Sequence, residues 1–325
     1  INAAVALLAF AVLAAALLSR PEKRLNDFDQ SFYLTIAYDL DRWGVFSNGM
    51  FDETDSTQAR PRPGMFMAPL YPLLAFAVMQ ASRRFREAVI CNVEANHQRR
   101  SFESCAIYAR PMLLVHAAFL AAGVIAIGFA AQLMFRRRAA LLAAAAVATA
   151  GLLMEAELFS FVMTESVTFG LYSLTALFLL RAWQRRHPAD WLLAGVLFGL
   201  LCLDRVSHLV LLPALWCGAL LARYGLRHAA ARGALGGLAL FTAAFAVTVA
   251  PWLLRNAVSV GKLAFTEEYG AAAVIERLAY NDMREREFFL AFPYCVPEIG
   301  PAVVDALFGP ATMARFDWRS PGGFF

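Results

Sequence analysis

Two carboxylates and a set of arginines have the types and surroundings for chemistry at a membrane surface. Asp29 lies in Asn26-Asp27-Phe28-Asp29-Gln30, shortly after a long apolar run, and Asp29, Tyr33, Ala37 and Leu40 recur at the spacing of one helix face. A carboxylate there sits at the lipid–water boundary, where a lipid-borne substrate presents its head group. The positive end of a helix favours an acidic residue at the same place for purely structural reasons. Asp27, followed three positions on by Gln30, has the form of a capping box, which gives Asp27 the task of capping a helix from Phe28 to about Trp43. Farther on, Arg60-Pro61-Arg62-Pro63 and Pro69-Leu70-Tyr71-Pro72 form a stiffened loop whose fork-shaped cations suit a phosphate diester or a carboxylate. As a plain interfacial loop, its arginines would meet anionic lipid head groups instead.

Glu165, in Met163-Thr164-Glu165-Ser166, falls near the end of an apolar segment. An ionisable side chain close to hydrocarbon is costly and marks a functional position when it faces protein or water; the alternative is an exposed first-turn carboxylate. Asp204-Arg205, with His208 a turn later, is another charged group, and a local Asp–Arg ion pair is its plainest account. Arg255 follows the interfacial aromatic Trp252 by three residues and either snorkels or binds a lipid phosphate.

These residues need a scaffold, and composition indicates its kind. With 60% hydrophobic and only 17% charged residues over 325 positions, and a mean hydropathy of +0.55, the chain falls outside the range of soluble domains. The expected fold is an all-α polytopic membrane protein with about seven transmembrane helices. Residues 1–19 read as the first span and residues 20–105 as a large extracytoplasmic loop with short interfacial helices. Residues 106–250 read as spans two to seven and residues 251–325 as an extracytoplasmic interfacial segment, with a further C-terminal part expected beyond it. Span seven is expected to end near Ala250, before Pro251. The chain begins at Ile1 rather than Met and reads as a piece of a longer one; its first apolar run lacks a basic leader and is expected to be a retained span rather than a signal.

Sidedness follows from the basic clusters. Arg136-Arg137-Arg138 follows span two, Arg181 to His187 follows span four, and Arg223 to Arg227 follows span six. All three fall on one side, which the positive-inside rule makes cytoplasmic, so the loop carrying Asp29 faces outward. Cys91, Cys105 and Cys295 share that outer side, where an oxidising compartment permits a Cys91–Cys105 disulfide, although connectivity does not follow from sequence. Most histidines read as incidental members of polar or basic loops. No cysteine–histidine pattern has metal-site spacing and no cofactor is expected, while a requirement for a divalent metal does not follow from these residues either way. Glycines within the spans read as sites of close helix packing.

The order of these elements resembles the GT-C glycosyltransferases of family 39 type, the group that includes protein O-mannosyltransferases and lipid A aminoarabinose transferases. The resemblance rests on Asp29-x-x-x-Tyr33-x-x-x-Ala37, on Pro69-Leu70-Tyr71-Pro72 and on Met163-Thr164-Glu165-Ser166. Ala194-Gly195-x-x-x-Gly199 leading into Leu203-Asp204-Arg205, and Pro251-Trp252-x-x-Arg255-Asn256, complete it. The resemblance implies an enzyme of the bacterial inner membrane that moves a sugar, with inversion, from a polyprenyl-phosphate donor to a lipid, glycan or protein acceptor on the extracytoplasmic face. It implies Asp29 as general base, Glu165 as a second catalytic-site carboxylate that positions donor or acceptor, and Arg60, Arg62, Arg205 and Arg255 as the cations for the departing lipid phosphate. Tyr33, Tyr71 and Asn256 would complete the substrate contacts. The family pattern often has Thr before and Pro after the arginine that follows span five, where Asp204 and Val206 stand here. Membrane lipids are expected partners and nucleic acid is not. The rival reading is a non-catalytic lipid or solute transporter, or a scaffold of the cell envelope; charges gathered at the outer boundary rather than at the midplane favour the enzyme.

Overall fold

A backbone in hydrocarbon must satisfy its own hydrogen bonds, so apolar runs of this length become helices. The computed structural model describes residues 2–26, 29–49, 59–98, 101, 104–221, 224, 231–267, 284–294 and 300–316. Among them the regular elements are helical, with no strand. The chain divides into two compact units, Ile1–Thr266 and Glu267–Phe325.

The first unit contains α1 (Asn2–Leu18), α2 (Gln30–Trp43), α3 (Leu70–Ala81), α4 (Arg83–His97), α5 (Arg110–Phe135), α6 (Arg138–Met154), α7 (Glu165–Arg185), α8 (Pro188–Asp204), α9 (Leu211–Leu220) and α10 (Ala231–Ser259). The long helices pack in a chain of neighbours: α1 on α5, α5 on α6 and α7, α7 on α8, and α8 on α10. Two of these contacts bring backbones together at glycine, as expected of the spans. A Cβ on Gly195 of α8 would lie 2.2 Å from the Phe241 carbonyl oxygen, and one on Gly170 of α7 would lie 2.6 Å from that of Phe119.

Arg110–Phe135, Glu165–Arg185 and Leu235–Ser259 are long and apolar enough to cross a membrane; Ala4–Leu18, Arg138–Met154 and Val206–Leu220 are apolar but shorter. The 17-residue helices α6 and α8 reach about 25 Å, against about 30 Å of hydrocarbon. Length and composition therefore mark three of the expected seven spans by themselves. The last one does not stop at Ala250: α10 continues through Pro251 to Ser259. Proline removes one donor, and the turns beyond it are held by tertiary bonds from Trp252 and Asn256 described below.

The loop between α1 and α5 is built rather than loose. Glu22 caps α5, accepting from Ala109 N at 2.5 Å and from Arg110 at 3.2 Å. Helices α2, α3 and α4 pack on one another, joined at their rims by Arg86–Asp41 at 2.8 Å and Arg42–Glu94 at 2.9 Å. Cys91 on α4 is disulfide-bonded to Cys105, 14 residues on, which realises one of the pairings the sequence permits. Helix α2 is buried almost all round, with Tyr33, Leu34, Ile36, Ala37, Tyr38 and Asp39 shielded from solvent, so it carries more than one core face.

In the second unit, α11 (Glu285–Tyr294), α12 (Gly300–Phe308) and α13 (Pro310–Phe316) follow in order. The Tyr294 ring stacks on Phe316 at 4.9 Å, and Arg315 pairs with Glu287.

Candidate functional site

The start of α7 and the end of α8 meet in a charged cluster. Glu165 is the first residue of α7, and Arg205 leaves α8 in extended conformation, φ −147° and ψ 108°. An Arg205 terminal nitrogen lies 3.2 Å from Glu165 Oε1. Besides the local Asp204–Arg205 pair expected from sequence, Arg205 thus has a partner across helices. Asp204, still in the helix, turns to α7, where Thr168 donates to its Oδ2 at 2.6 Å. Glu165 Oε2 and the hydroxyls of Thr164 and Ser166 are shut off from solvent and have no hydrogen-bond partner among the described residues. Unpaired buried polar atoms are costly, so a group that satisfied them would be held firmly.

Tyr71 packs behind this cluster. It is fully buried on α3, and burial, followed by the charges of Tyr33, Asp204 and Glu165, raises its phenol well above the ordinary range. The hydroxyl lies 2.8 Å from His116 Nε2, and His116 Nδ1 lies 3.2 Å from the Phe159 carbonyl oxygen. That carbonyl only accepts, so Nδ1 carries the proton and Nε2 accepts from Tyr71. Tyr33 meets Tyr71 edge to face at 5.0 Å. Both tyrosines therefore act as the wall behind the cluster.

Asp29 stands immediately before Gln30, with its carbonyl accepting from Phe32 N at 3.0 Å. Asp27 and Phe28 lie outside the described residues, and with them the expected cap; the helix begins at Gln30. Gln30 is completely buried and bridges two segments, donating to Arg24 O at 3.0 Å and accepting from Val162 N at 2.7 Å. Val162 lies three residues before Glu165, so this bond ties the start of α2 to the approach to α7. A second tie lies outside it, from Lys23 to Glu157 at 2.6 Å.

The arginine–proline loop is fixed from the side of α10. Arg60 and Arg62 are exposed, with Pro61 buried between them. Asn48 Oδ1 accepts from Met65 N at 2.8 Å and from Phe66 N at 3.0 Å, and only a glycine at position 64 fits there, since a Cβ would stand 2.1 Å from that oxygen. Arg255 donates to the Gly64 carbonyl and, at 2.6 Å, to that of Phe46. Its guanidinium also sits over the Phe46 and Trp252 rings, at 5.4 Å and 5.0 Å. Asn256 is completely buried and donates to Ala264 O at 2.8 Å, while Trp252 donates to Phe265 O at 2.7 Å. Arg255 thus spends donors on two backbone carbonyls and on Asn256 Oδ1, Asn256 donates to backbone, and Arg60 and Arg62 have no ion pair with a described residue.

The structure brings Glu165, Arg205, Tyr33 and Tyr71 together, ties Asp29's helix to the same place through Gln30, and uses Arg255 to fasten the loop that carries Arg60 and Arg62. Sequence reading passed over His116 and Thr168 and read Gln30 only as half of a capping box. His116 had a signal, an imidazole within an otherwise apolar span; a threonine in the first turn of a helix carried none.

Comparison with curated proteins and with solved structures returns no significant match. Residues 108–252, from just before α5 to Trp252, match the family model described as dolichyl-phosphate-mannose-protein mannosyltransferase. The matched stretch contains Glu165 and Arg205 and stops before Arg255. The match covers less than half of the chain and supports its resemblance to mannosyltransferase-like GT-C proteins over that stretch.

Proposed function

We propose that the protein transfers a sugar from a polyprenyl-phosphate donor to a lipid, glycan or protein acceptor on the extracytoplasmic face of a bacterial inner membrane. In this reading α1, α5, α6, α7, α8, the Val206–Leu220 segment and α10 are the seven spans. The observation that supports it best is the buried Gln30–Val162 hydrogen bond, because it ties the residue after Asp29 to a residue three positions before Glu165.

Asp29 takes the proton of the acceptor hydroxyl or amine as that group attacks the anomeric carbon. The new bond forms on the face opposite the leaving group, so the configuration inverts. The bond from the anomeric carbon to the phosphate oxygen breaks, and the electron pair leaves with the lipid phosphate. Arg205 meets that developing charge, oriented by Glu165, and the exposed Arg60 and Arg62 close on it from the loop. Tyr33 and Tyr71 hold the rear wall, and Arg255 acts by fastening the loop rather than by touching the donor.

Replacing Asp29 with Asn keeps size and removes the base. Transfer of radiolabelled sugar is expected to fall by about 10²-fold or more, with binding of the donor lipid unchanged. Undiminished transfer would overturn the assignment of the base.

A further inference from the structure

At the far end of α7, about 30 Å along the helix from Glu165, a cavity of about 510 Å³ opens between the last turns of α5 and α7. Its polar wall is formed by Arg136, Arg181 and Arg185 with Gln132 and Gln184, and its apolar wall by Phe129, Leu133 and Leu177. The two walls are arranged along the helices. The apolar residues come one to two turns before the arginines on both α5 and α7, so the cavity grades from greasy to cationic toward the helix ends.

Arg181 is fixed at the centre. It pairs with Asp190 at 3.0 Å and lies over the Phe178 ring at 4.8 Å. Its Nε, shut off from solvent, has no hydrogen-bond partner among the described residues. Arg136 and Arg185 are exposed and flank it. The charges decide the sign of the ligand. Three guanidinium groups outweigh the Asp190 carboxylate and the partial negative charges of two helix C-termini, each about half a unit, and leave roughly one net positive charge.

We infer that this cavity binds the phosphate head group of an anionic phospholipid, with an acyl chain against Phe129, Leu133 and Leu177. Basic pockets between helices at a membrane face are suited to such head groups, and the planar forks of arginine match phosphate oxygens. The apolar wall singles out a lipid over a free phosphate ion. The site lies at the opposite end of α7 from the Glu165–Arg205 cluster and does not depend on the reaction assigned there.

The full chain, reconstituted in liposomes of mixed phosphatidylcholine and phosphatidylglycerol and released into detergent, is examined by native mass spectrometry. The wild type is expected to keep one phosphatidylglycerol in preference to phosphatidylcholine. The Arg136→Gln/Arg185→Gln variant, altered only at exposed positions, is expected to lose that preference by about thirtyfold. Arg136→Lys/Arg185→Lys is expected to restore most of it. Excess inorganic phosphate is expected not to displace the lipid. Equal retention by the wild type and the glutamine variant, no recovery with lysine, or displacement of the lipid by inorganic phosphate would each overturn the proposal.

Discussion

Removing the Gln30 side chain tests the junction on which the site depends. Gln30 is completely buried and makes two bonds to backbone, donating to Arg24 O at 3.0 Å and accepting from Val162 N at 2.7 Å. Gln30→Leu keeps volume and leaves Val162 N buried and unpaired, at about 1–3 kcal/mol, while the part-buried Arg24 carbonyl loses its donor at about 0.5–1.5 kcal/mol, or about 2–4 kcal/mol in total. That is a large share of a typical net stability of about 5–15 kcal/mol. Burial holds a carboxyl group at this position neutral, with one oxygen to accept from Val162 N and an O–H to donate toward Arg24 O, so Gln30→Glu is expected to lose less than Gln30→Leu. Equilibrium unfolding in mixed micelles, titrated with a denaturing detergent, gives the order wild type, Glu, Leu. Sugar transfer should fall further than stability alone explains, because a displacement of about 1 Å at a reacting group costs about 10²-fold in rate. Stabilities of both variants within about 0.5 kcal/mol of the wild type would refute the reasoning.

Two further outcomes follow from the packing and the charges. Gly195→Val drives a side chain into the Phe241 carbonyl oxygen, already 2.2 Å from a bare Cβ, and is expected to lower stability by about 1–3 kcal/mol or more; Gly218→Ala on α9, where a Cβ meets nothing within 4 Å, serves as the silent control in the same unfolding assay. Burial, set against the opposing effects of Arg42 and Glu94, pushes the Tyr38 phenol from 10.0 up to about 12. Between these values the folded chain holds a proton that the unfolded chain has released, so this contribution is intact below the unfolded value and is lost as pH rises through the folded one. The wild type should therefore lose stability relative to Tyr38→Phe over that window, and parallel pH curves for the two proteins would contradict it.

Composition and span-scale periodicity made the all-helical membrane scaffold legible, and the glycines of α8 were legible as contacts because nothing else explains a glycine in a long apolar helix. The end of α10 was not, since a proline usually closes a helix, and the bonds from Trp252 and Asn256 to the segment after it are not visible in sequence. The cross-helix partner of Arg205 was hidden for a related reason. Glu165 lies 40 residues away in sequence, and adjacency made Asp204 the simpler choice. Arg255 was legible as an interfacial cation that snorkels or binds a lipid phosphate, but its bonds to the Gly64 and Phe46 carbonyls were not, because they join residues about 200 positions apart. Gln30 was read only as half of a capping box, because one sequence does not show that its amide reaches a segment 132 residues on.

The central claim is that the starts of α2 and α7 and the Arg60–Arg62 loop form one donor site. Its most direct test is photo-crosslinking with a polyprenyl-phosphate analogue bearing a diazirine beside the phosphate, followed by peptide mapping. The expected label falls on segments carrying Glu165, Arg205 and Arg60 to Gly64, and is competed away by natural donor lipid. Competed label absent from all three segments, or confined to the Arg136 and Arg185 end of the helices, would contradict it.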